Sequence, residues 1–330
     1  MNNNKRARIG GAGGGEEEEE DRISDLPDAI LEHILCFLGT KFAVRTSVLL
    51  KRWRKVWTCV PELNFTSESF SQETSFAPFV NEVLRRRNGG CNVRKVSLFR
   101  RRKFDVGLSD NVTAYTLSRG VEHLVLHCDV LLHSCGTNTL PSLLNFKDYP
   151  PYCDSLRTLE LLGFLFYGQV GFIYVTTLNL RRCTVSNHCS GGRDGDPFAQ
   201  FPNLINLSLE HCTFHGLKEA LKISGGEMLN LSISGLTYGL SLPEGRKVGI
   251  SAPKLQSLSY SCSEAADFCE INLPSLQHSH VHVPLRRAPS YPKSSETYLK
   301  FVEEHNNRSY RNLFFFLQGL CNSQYHSYRT

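Results

Sequence analysis

Long apolar runs are missing from this chain of 330 residues, and so is the pattern of a secretory signal. No stretch approaches the roughly eighteen consecutive apolar residues that a membrane-spanning helix needs, and the apolar segment 313–317 is far too short. The first residues are rich in Asn, Gly and Glu, whereas a secretory signal has a basic start and an apolar centre. We therefore expect a soluble intracellular protein, in the nucleus, the cytoplasm or both.

Catalytic and metal-binding motifs are also scarce. The twelve cysteines include no CxxC pair, so neither a disulfide framework nor a zinc site of that kind is indicated. There is no glycine-rich phosphate loop after a strand and no GxSxG motif. The net charge of +5, from 37 basic and 32 acidic residues, is too small to indicate a nucleic-acid partner. These absences favour a binding protein, not an enzyme, with no cofactor and no metal.

Three short helical patterns do fill residues 22–65. Pro27 suits a helix start, and apolar residues then recur at helical spacing up to Gly39, where a left-handed C-cap is expected. A second pattern covers residues 42–49. A third has the spacing i, i+3, i+4, i+7 and consists of Trp53, Val56, Trp57 and Val60. So small a unit cannot bury all its apolar surface, which indicates a permanent protein partner. The alternative is an ordinary three-helix core with both tryptophans inside.

The residues of this stretch closely resemble the F-box of plant F-box proteins. Matching pieces include Leu26-Pro27-Asp28, Ile30-Leu31, Lys51-Arg52-Trp53, Trp57 and Val60-Pro61. The resemblance implies docking onto a Skp-family adaptor, and through it onto a cullin. Carried over by position, the implied adaptor contacts are Leu26, Pro27, Ile30, Leu31, Ile34, Leu49, Trp53 and Trp57. Some of them must also hold the helices together, so the division between core and interface stays open.

A spaced apolar triplet of the form apolar-x-x-apolar-x-apolar recurs after residue 90. The copies are Val93/Val96/Leu98, Val121/Leu124/Leu126, Leu156/Leu159/Leu161, Val175/Leu178/Leu180, Leu204/Leu207/Leu209, Met228/Leu231/Ile233, Leu255/Leu258/Tyr260 and a weak last one, Leu276/Ser279/Val281. Their average spacing of about 26 residues falls within the leucine-rich range of about 20 to 29. The alternation predicts one strand per copy, and stacked strands would share a continuous core in a curved solenoid.

The irregular spacing resembles the divergent leucine-rich repeats that follow the F-box in many plant proteins. The clearest phrases lie at 152–161, 201–210 and 252–258. In such repeats Asn or Cys turns the chain after the strand, which is the role implied for Cys183 and Cys212. The implied fold is an α/β repeat: an N-terminal three-helix F-box followed by a leucine-rich-repeat solenoid with a C-terminal helical cap.

Five segments follow from this interpretation. They are a disordered tail at 1–21, the F-box at 22–65, a polar linker at 66–90, the repeats at 91–285 and the helical cap at 286–330. In the cap, the residues spaced for one helix face are Leu313, Phe316, Leu317 and Leu320.

The residues between the apolar positions of each strand are predicted to point to the concave surface of the sheet. Those with charged, aromatic or imidazole side chains are candidate contacts for a target protein: Lys95, Phe99, His123, His127, Glu160, Arg181, Glu210 and His280. For each position alone, the alternative is an ordinary solvated strand residue.

Two further clusters are candidate binding sites. The first is a metal site made of histidines and cysteines, drawn from His123, His127, Cys128, His133 and Cys135, or from His278, His280 and His282. Alternate strand residues lie about 7 Å apart, which is awkward for ligands of one ion. The second is the basic region 85–103, which could take an acidic target, a nucleic acid or an inositol phosphate, although solvated arginines explain it more simply.

The function that this reasoning predicts is the substrate-recognition subunit of a Skp–cullin–F-box ubiquitin ligase. The F-box would dock the adaptor and the repeats would bind an unknown target protein, with neither nucleic acid nor membrane as a partner. Two alternatives stay open: an adaptor-bound interaction scaffold without ubiquitin transfer, and a small-molecule receptor that uses the basic end of the repeats.

Overall fold

A computed structural model describes most of the chain between residues 23 and 321. The described residues are 23, 25–49, 51–87, 89–101, 106–128, 142–144, 154–167, 172–186, 196–215, 220–238, 247–262, 266–283, 307 and 310–321. The expected tail 1–21 and the first part of the expected cap, 286–306, lie outside them. Within the described ranges, none of the helices has the length and apolar character needed to cross a membrane.

Short helices form the N-terminal part of the described chain. They are α1 (Asp28–Cys36), α2 (Thr40–Arg45) and α3 (Trp53–Val56), with 3-10 turns at Thr46–Val48 and Trp57–Cys59. Pro27 is the N-cap of α1, as its missing N–H predicts. Gly39 differs from its expected role, because α1 already ends at Cys36 and Gly39, with φ of 68°, is the N-cap of α2.

The described part of the chain then contains seventeen strands, each six residues long or shorter. In chain order they are β1 (Glu62–Thr66), β2 (Lys95–Arg100), β3 (His123–Cys128), β4 (Ser142–Leu144), β5 (Thr158–Leu162), β6 (Phe164–Tyr167), β7 (Thr177–Arg181), β8 (Thr184–Ser186), β9 (Asn206–Glu210), β10 (Thr213–His215), β11 (Leu221–Ser224), β12 (Asn230–Ser234), β13 (Thr237–Tyr238), β14 (Lys247–Ser251), β15 (Ser257–Ser261), β16 (Asp267–Asn272) and β17 (His278–His282). All the pairings between them are parallel.

The apolar triplets build a nine-stranded sheet in the order β1-β2-β3-β5-β7-β9-β12-β15-β17. All three members of each of the first seven triplets are buried. In the weak last copy, Leu276 is buried whereas Ser279 is exposed. One parallel strand per triplet is consistent with leucine-rich-repeat-like repeats, because each strand buries its apolar side only against its neighbours.

The sheet begins earlier than the triplet analysis predicts. Strand β1 pairs in register with β2 and brings Val60, Leu63 and Phe65 into the core. These three residues have the same spacing as the triplets, so the end of the predicted F-box is also the first strand of the sheet. The polar linker expected at 66–90 likewise differs, since it contains the helix α4 (Phe76–Arg86), whose apolar face is buried.

Another helix, two smaller parallel sheets and a C-terminal helix accompany the nine-stranded sheet. Helix α5 (Val106–Ser118) lies beside α4, and the later repeats contribute two smaller parallel sheets, β13-β10-β8-β6-β4 and β11-β14-β16. Residues 310–321 form a C-terminal helix. Its Phe316 ring stacks on Phe268 of β16 at 4.2 Å and also contacts Tyr260 of β15. This packing agrees with the predicted helix face, except that Leu317 is 43% exposed.

A left-handed turn recurs where the chain leaves the nine-stranded sheet. The residue after each of four successive strands has a positive φ: Gly163, Arg182, His211 and Gly235. Each of these N–H groups donates to the last carbonyl of the next strand in the sheet. Just after two of the turns, the buried thiols of Cys183 and Cys212 donate to carbonyl oxygens of the preceding strand, over 3.4 and 3.2 Å. Burial raises their pKa to about 11 and about 12, so both act as neutral donors that hold the turn.

We expect Gly163→Ala to lower the free energy of unfolding by about 2–3 kcal/mol, because a side chain is strained at positive φ and would also overpack the turn. Gly163 has φ of +78°, and a Cβ there would lie 2.2 Å from the backbone oxygen of Cys128. Gly226→Ala is the matched control, since a Cβ at Gly226 meets nothing within 4 Å. Urea unfolding of both variants measures the difference, and equal midpoints would contradict the proposed strain.

Candidate protein-interaction surfaces

Apolar side chains stand exposed on the N-terminal helices. They form what we call the F-box apolar surface, which consists of Ile30, Ile34, Phe37, Leu38, Phe42, Val48 and Leu49. Their exposed fractions range from 38% at Ile34 to 82% at Val48. Concentrated exposure of large apolar groups on so short a segment is typical of a surface that another protein covers.

The predicted adaptor contacts divide between this surface and the core. Those that are exposed are Pro27, Ile30, Ile34 and Leu49. Leu26 is partly buried, whereas Leu31, Trp53 and Trp57 are at most 7% exposed. The helical period separates the two groups, because Ile30 and Ile34 share one side of α1 and Leu31 and Leu35 share the other.

Four members of the F-box apolar surface were not among the predicted contacts. They are Phe37, Leu38, Phe42 and Val48, of which Phe37 is 77% exposed. A sequence signal exists for them, since each is an apolar residue within or next to the helical patterns that end at Gly39 and cover residues 42–49. Periodicity alone does not say which of two adjacent apolar stripes faces water.

Several contacts fix the helices to the first strands of the sheet. The N–H of Asn64 on β1 donates to Oγ1 of Thr40 at 2.7 Å. The buried guanidinium of Arg87 donates to the carbonyl of Trp57. Burial lowers the pKa of Arg87, and the nearby groups of Tyr115 and Glu32 oppose that shift. The helices and the start of the sheet therefore form one packed unit.

A disulfide joins Cys59 and Cys91, whose Cα atoms are 5.1 Å apart. The cysteine spacing indicates no disulfide framework, so the bond between Cys59 and Cys91 departs from the expectation. It arises because Cys59 shortly precedes β1 and Cys91 shortly precedes β2, and the pairing of these strands brings the two residues together. The bond links the last turn of the F-box helices to the entry of the next strand.

The sheet register arranges the predicted target contacts in rows across the strands. Phe99, His127, Leu162, Arg181 and Glu210 are successive partners from β2 to β9. In the two neighbouring rows, Lys95 pairs with His123, and Glu160 and His280 lie on the same row with four strands between them. The alternation that predicted these rows is thus matched by the strand pairing.

Charged candidates in the N-terminal half of the sheet contact each other. The Phe99 ring meets His127 edge-on at 4.7 Å, and Nε2 of His127 lies 2.9 Å from Oε1 of Glu160. The hydrogen bond with His127 lowers the pKa of Glu160, although burial opposes it. Nε of Arg181 donates to Glu210 at 2.7 Å. These groups satisfy one another without a partner protein.

The basic region is also largely paired. Arg85 and Arg86 both contact Glu82 on α4. The other pairs are Arg94 with Glu62, Arg100 with Glu73 and Arg101 with Glu68. Lys103 lies outside the described residues. These contacts offset much of the positive charge that the sequence concentrates there.

A metal site has no support in the part of the chain that the structure describes. Among those residues, no group of three or more His, Cys, Asp or Glu side chains could hold an ion. His133 and Cys135, which belong to one of the weighed clusters, lie outside the described residues.

Comparison with known proteins identifies the N-terminal module and its relatives. The F-box domain model matches residues 23–63. A putative F-box/FBD/LRR-repeat protein of Arabidopsis thaliana is 30% identical over 92% of this chain and 61% of its own length. F-box/LRR-repeat protein 13 of the same plant is 29% identical over 75% of this chain and 53% of its own length. A putative F-box/LRR-repeat protein from Arabidopsis thaliana is 60% identical over 64% of this chain and 43% of its own length.

The chain thus spans between 43% and 61% of the length of these relatives. No solved structure matches it. The F-box match at residues 23–63, together with relatives named for an F-box and leucine-rich repeats, supports a plant F-box/leucine-rich-repeat family for this chain.

Proposed function

We propose that this chain is the substrate-recognition subunit of a Skp–cullin–F-box ubiquitin ligase. The observation that carries the proposal is the F-box at residues 23–63, on which a set of apolar side chains stands exposed. Proteins of the F-box/leucine-rich-repeat family are generally adaptors rather than enzymes. An F-box implies binding to a Skp-family adaptor, and the cullin is reached through that adaptor.

The F-box apolar surface has the composition of an interface centre. Aliphatic and aromatic anchors that lose water on binding carry most of the affinity in such interfaces. We assign the adaptor contact to Ile30, Ile34 and Leu49, with Pro27 at the edge, because these side chains are exposed. Leu31, Trp53 and Trp57 support that contact from the core, since they hold the helices in place.

The mechanism of such a subunit is to hold a target near the ubiquitin-charged enzyme. The gain in rate comes from effective concentration and orientation, without chemistry by this chain. A packed F-box and first strand suit this role, because a target on the sheet would keep a fixed position relative to the adaptor. We propose that residues 91–285 form a leucine-rich-repeat solenoid, closed by the C-terminal helix, whose concave face binds the target. Such a protein would work in the nucleus, the cytoplasm or both.

The test is a pull-down of the recombinant chain with a panel of plant Skp-family adaptors, followed by addition of a cullin. We expect a stable complex with at least one adaptor and its entry into the cullin assembly. Adaptor binding without cullin entry would favour an interaction scaffold. Failure to bind any adaptor would overturn the ligase role. The small-molecule receptor has less support, because five described arginines of the basic region are already paired with acidic side chains.

A further inference from the structure

The two ends of the nine-stranded sheet differ in how far their polar groups are already satisfied. From β3 to β9, charged side chains pair with one another in the contacts of His127 with Glu160 and of Arg181 with Glu210. A target that docked there would first have to break or displace these pairs. At the other end, from β12 to β17, the same face has no such charge pairs among the described residues.

Small hydroxyl side chains line the face of β15. Ser257, Ser259 and Ser261 alternate along the strand and are each half-buried. Their partners on β12 are Asn230, Ser232 and Ser234, which are equally uncharged. Within the described part of the chain, the three β15 hydroxyls have no hydrogen-bond partner of their own. They are therefore available as short donors close to the backbone.

Three histidines stand on the same face of the last strand. His278, His280 and His282 alternate along β17 and are all exposed. Their register partners on β15 are the three serines, whose small side chains leave the imidazole rings uncovered. Among the described residues of β12, β15 and β17, no acidic or basic side chain other than these histidines occupies this face. The rings are thus the groups on this face that can accept a proton and carry positive charge.

From this arrangement we infer that the serine–histidine patch, Ser257, Ser259, Ser261, His278, His280 and His282, is where the target docks, and that it takes a peptide segment with anionic side chains. The inference rests on the proposed function and adds the chemistry of the partner. Imidazolium groups and hydroxyls both donate hydrogen bonds to a carboxylate or a phosphate, and charge-assisted bonds of this kind are the stronger ones. A patch that carries cationic donors and no acidic group selects a partner of the opposite charge.

The spacing of the donors fits an extended segment. Alternate residues of a strand lie about 7 Å apart. That separation is awkward for one metal ion but close to the spacing of alternate side chains in a bound extended peptide. A peptide with acidic residues at alternate positions could therefore place one anion near each histidine.

The experiment uses the full chain, immobilised, and a display library of random twelve-residue peptides in buffer with a metal chelator. The test variant is His278→Asn/His280→Asn/His282→Asn, which keeps polarity at exposed positions. His33→Asn/His215→Asn is the control, because it makes the same change away from the patch. We expect enrichment of peptides that contain Asp and Glu. A fluorescein-labelled synthetic copy of the most enriched peptide should bind the test variant about tenfold more weakly than wild type, and the control variant equally well.

Two further arms of the experiment test the charge of the contact and the kind of anion that the patch binds. Binding should weaken as the salt concentration rises from about 50 to about 500 mM, because salt screens the attraction between exposed groups of opposite charge. Copies with phosphoserine in place of Glu decide between a phosphorylated and a carboxylate-rich segment, and tighter binding of either kind supports the inference. No acidic enrichment, equal binding to the test variant, or binding that requires added zinc would overturn it. Since no adaptor is present, this result is independent of the adaptor pull-down that tests the ligase role.

Discussion

Ile30→Asp/Leu49→Asp is expected to abolish adaptor binding while the chain stays folded. Ile30 is 46% exposed and Leu49 is 64% exposed, so neither contributes much to the core. Both belong to the F-box apolar surface, where a carboxylate would be buried against an apolar partner without compensation. Hot-spot side chains are worth about 2 kcal/mol or more each, so the loss in affinity should reach at least about 100-fold. Aspartate at position 30 lies in the first turn of α1, where negative charge is favourable.

The measurement is the dissociation constant for a Skp-family adaptor, with thermal unfolding of the variant as the test of folding. Phe314→Asp is the matched control. Phe314 is 70% exposed on the C-terminal helix, far along the chain from the F-box. It should leave adaptor binding unchanged although it adds the same charge to an equally exposed apolar position. Retained binding by the double variant would remove the F-box apolar surface from the interface.

Trp53→Ala is expected to lower the free energy of unfolding by about 3–5 kcal/mol, the usual cost of truncating a large buried aromatic side chain. Trp53 is 5% exposed and belongs to the same core cluster as Leu31, Leu35 and Val56. The damage should extend into the sheet, because β1 follows within ten residues and pairs with β2. Adaptor binding would be lost as well, but through unfolding rather than through a missing contact.

Urea unfolding followed by circular dichroism, together with hydrogen exchange of β1 and β2, measures this effect. Leu49→Ala is the control, since truncation of an exposed side chain should change stability by less than about 0.5 kcal/mol. A Trp53→Ala chain that unfolds like wild type yet fails to bind the adaptor would instead make Trp53 a direct contact. The two experiments together separate residues that touch the adaptor from residues that only hold the module in shape.

Local patterns predicted much of this fold. The period of two within each triplet placed Leu124 and Leu126 inward and His123 and His127 on the opposite face, and the strand pairing agrees. The resemblance to leucine-rich repeats implied the turn role of Cys183 and Cys212, whose thiols bond to backbone carbonyls. The helical stripe of α1 was equally visible in the sequence. Such features depend on side-chain direction along one element, which the chain order specifies directly.

Other features depend on which distant segments meet. Phe65 on β1 joins the sheet, Arg87 packs inside against the carbonyl of Trp57, and Arg94 pairs with Glu62 across neighbouring strands. The two arginine contacts have no periodic signal of their own, whereas Val60, Leu63 and Phe65 share the triplet spacing although they lie within the predicted F-box. The basic region accordingly looked like free charge in the sequence, whereas pairing with distant acids offsets much of it.

The sequence by itself indicated the family resemblance, the strands of the apolar triplets and the two faces of the repeats, because these depend on local spacing and on recognisable residues. Only the tertiary structure decided which apolar residues of the F-box are core and which are surface. It also decided which charged residues on the sheet are already satisfied and which part of that face stays open. The physical reason is that burial and charge pairing are properties of contacts between segments. Ile30 and Leu31 are adjacent apolar residues of similar size, and they point to different sides of the same helix.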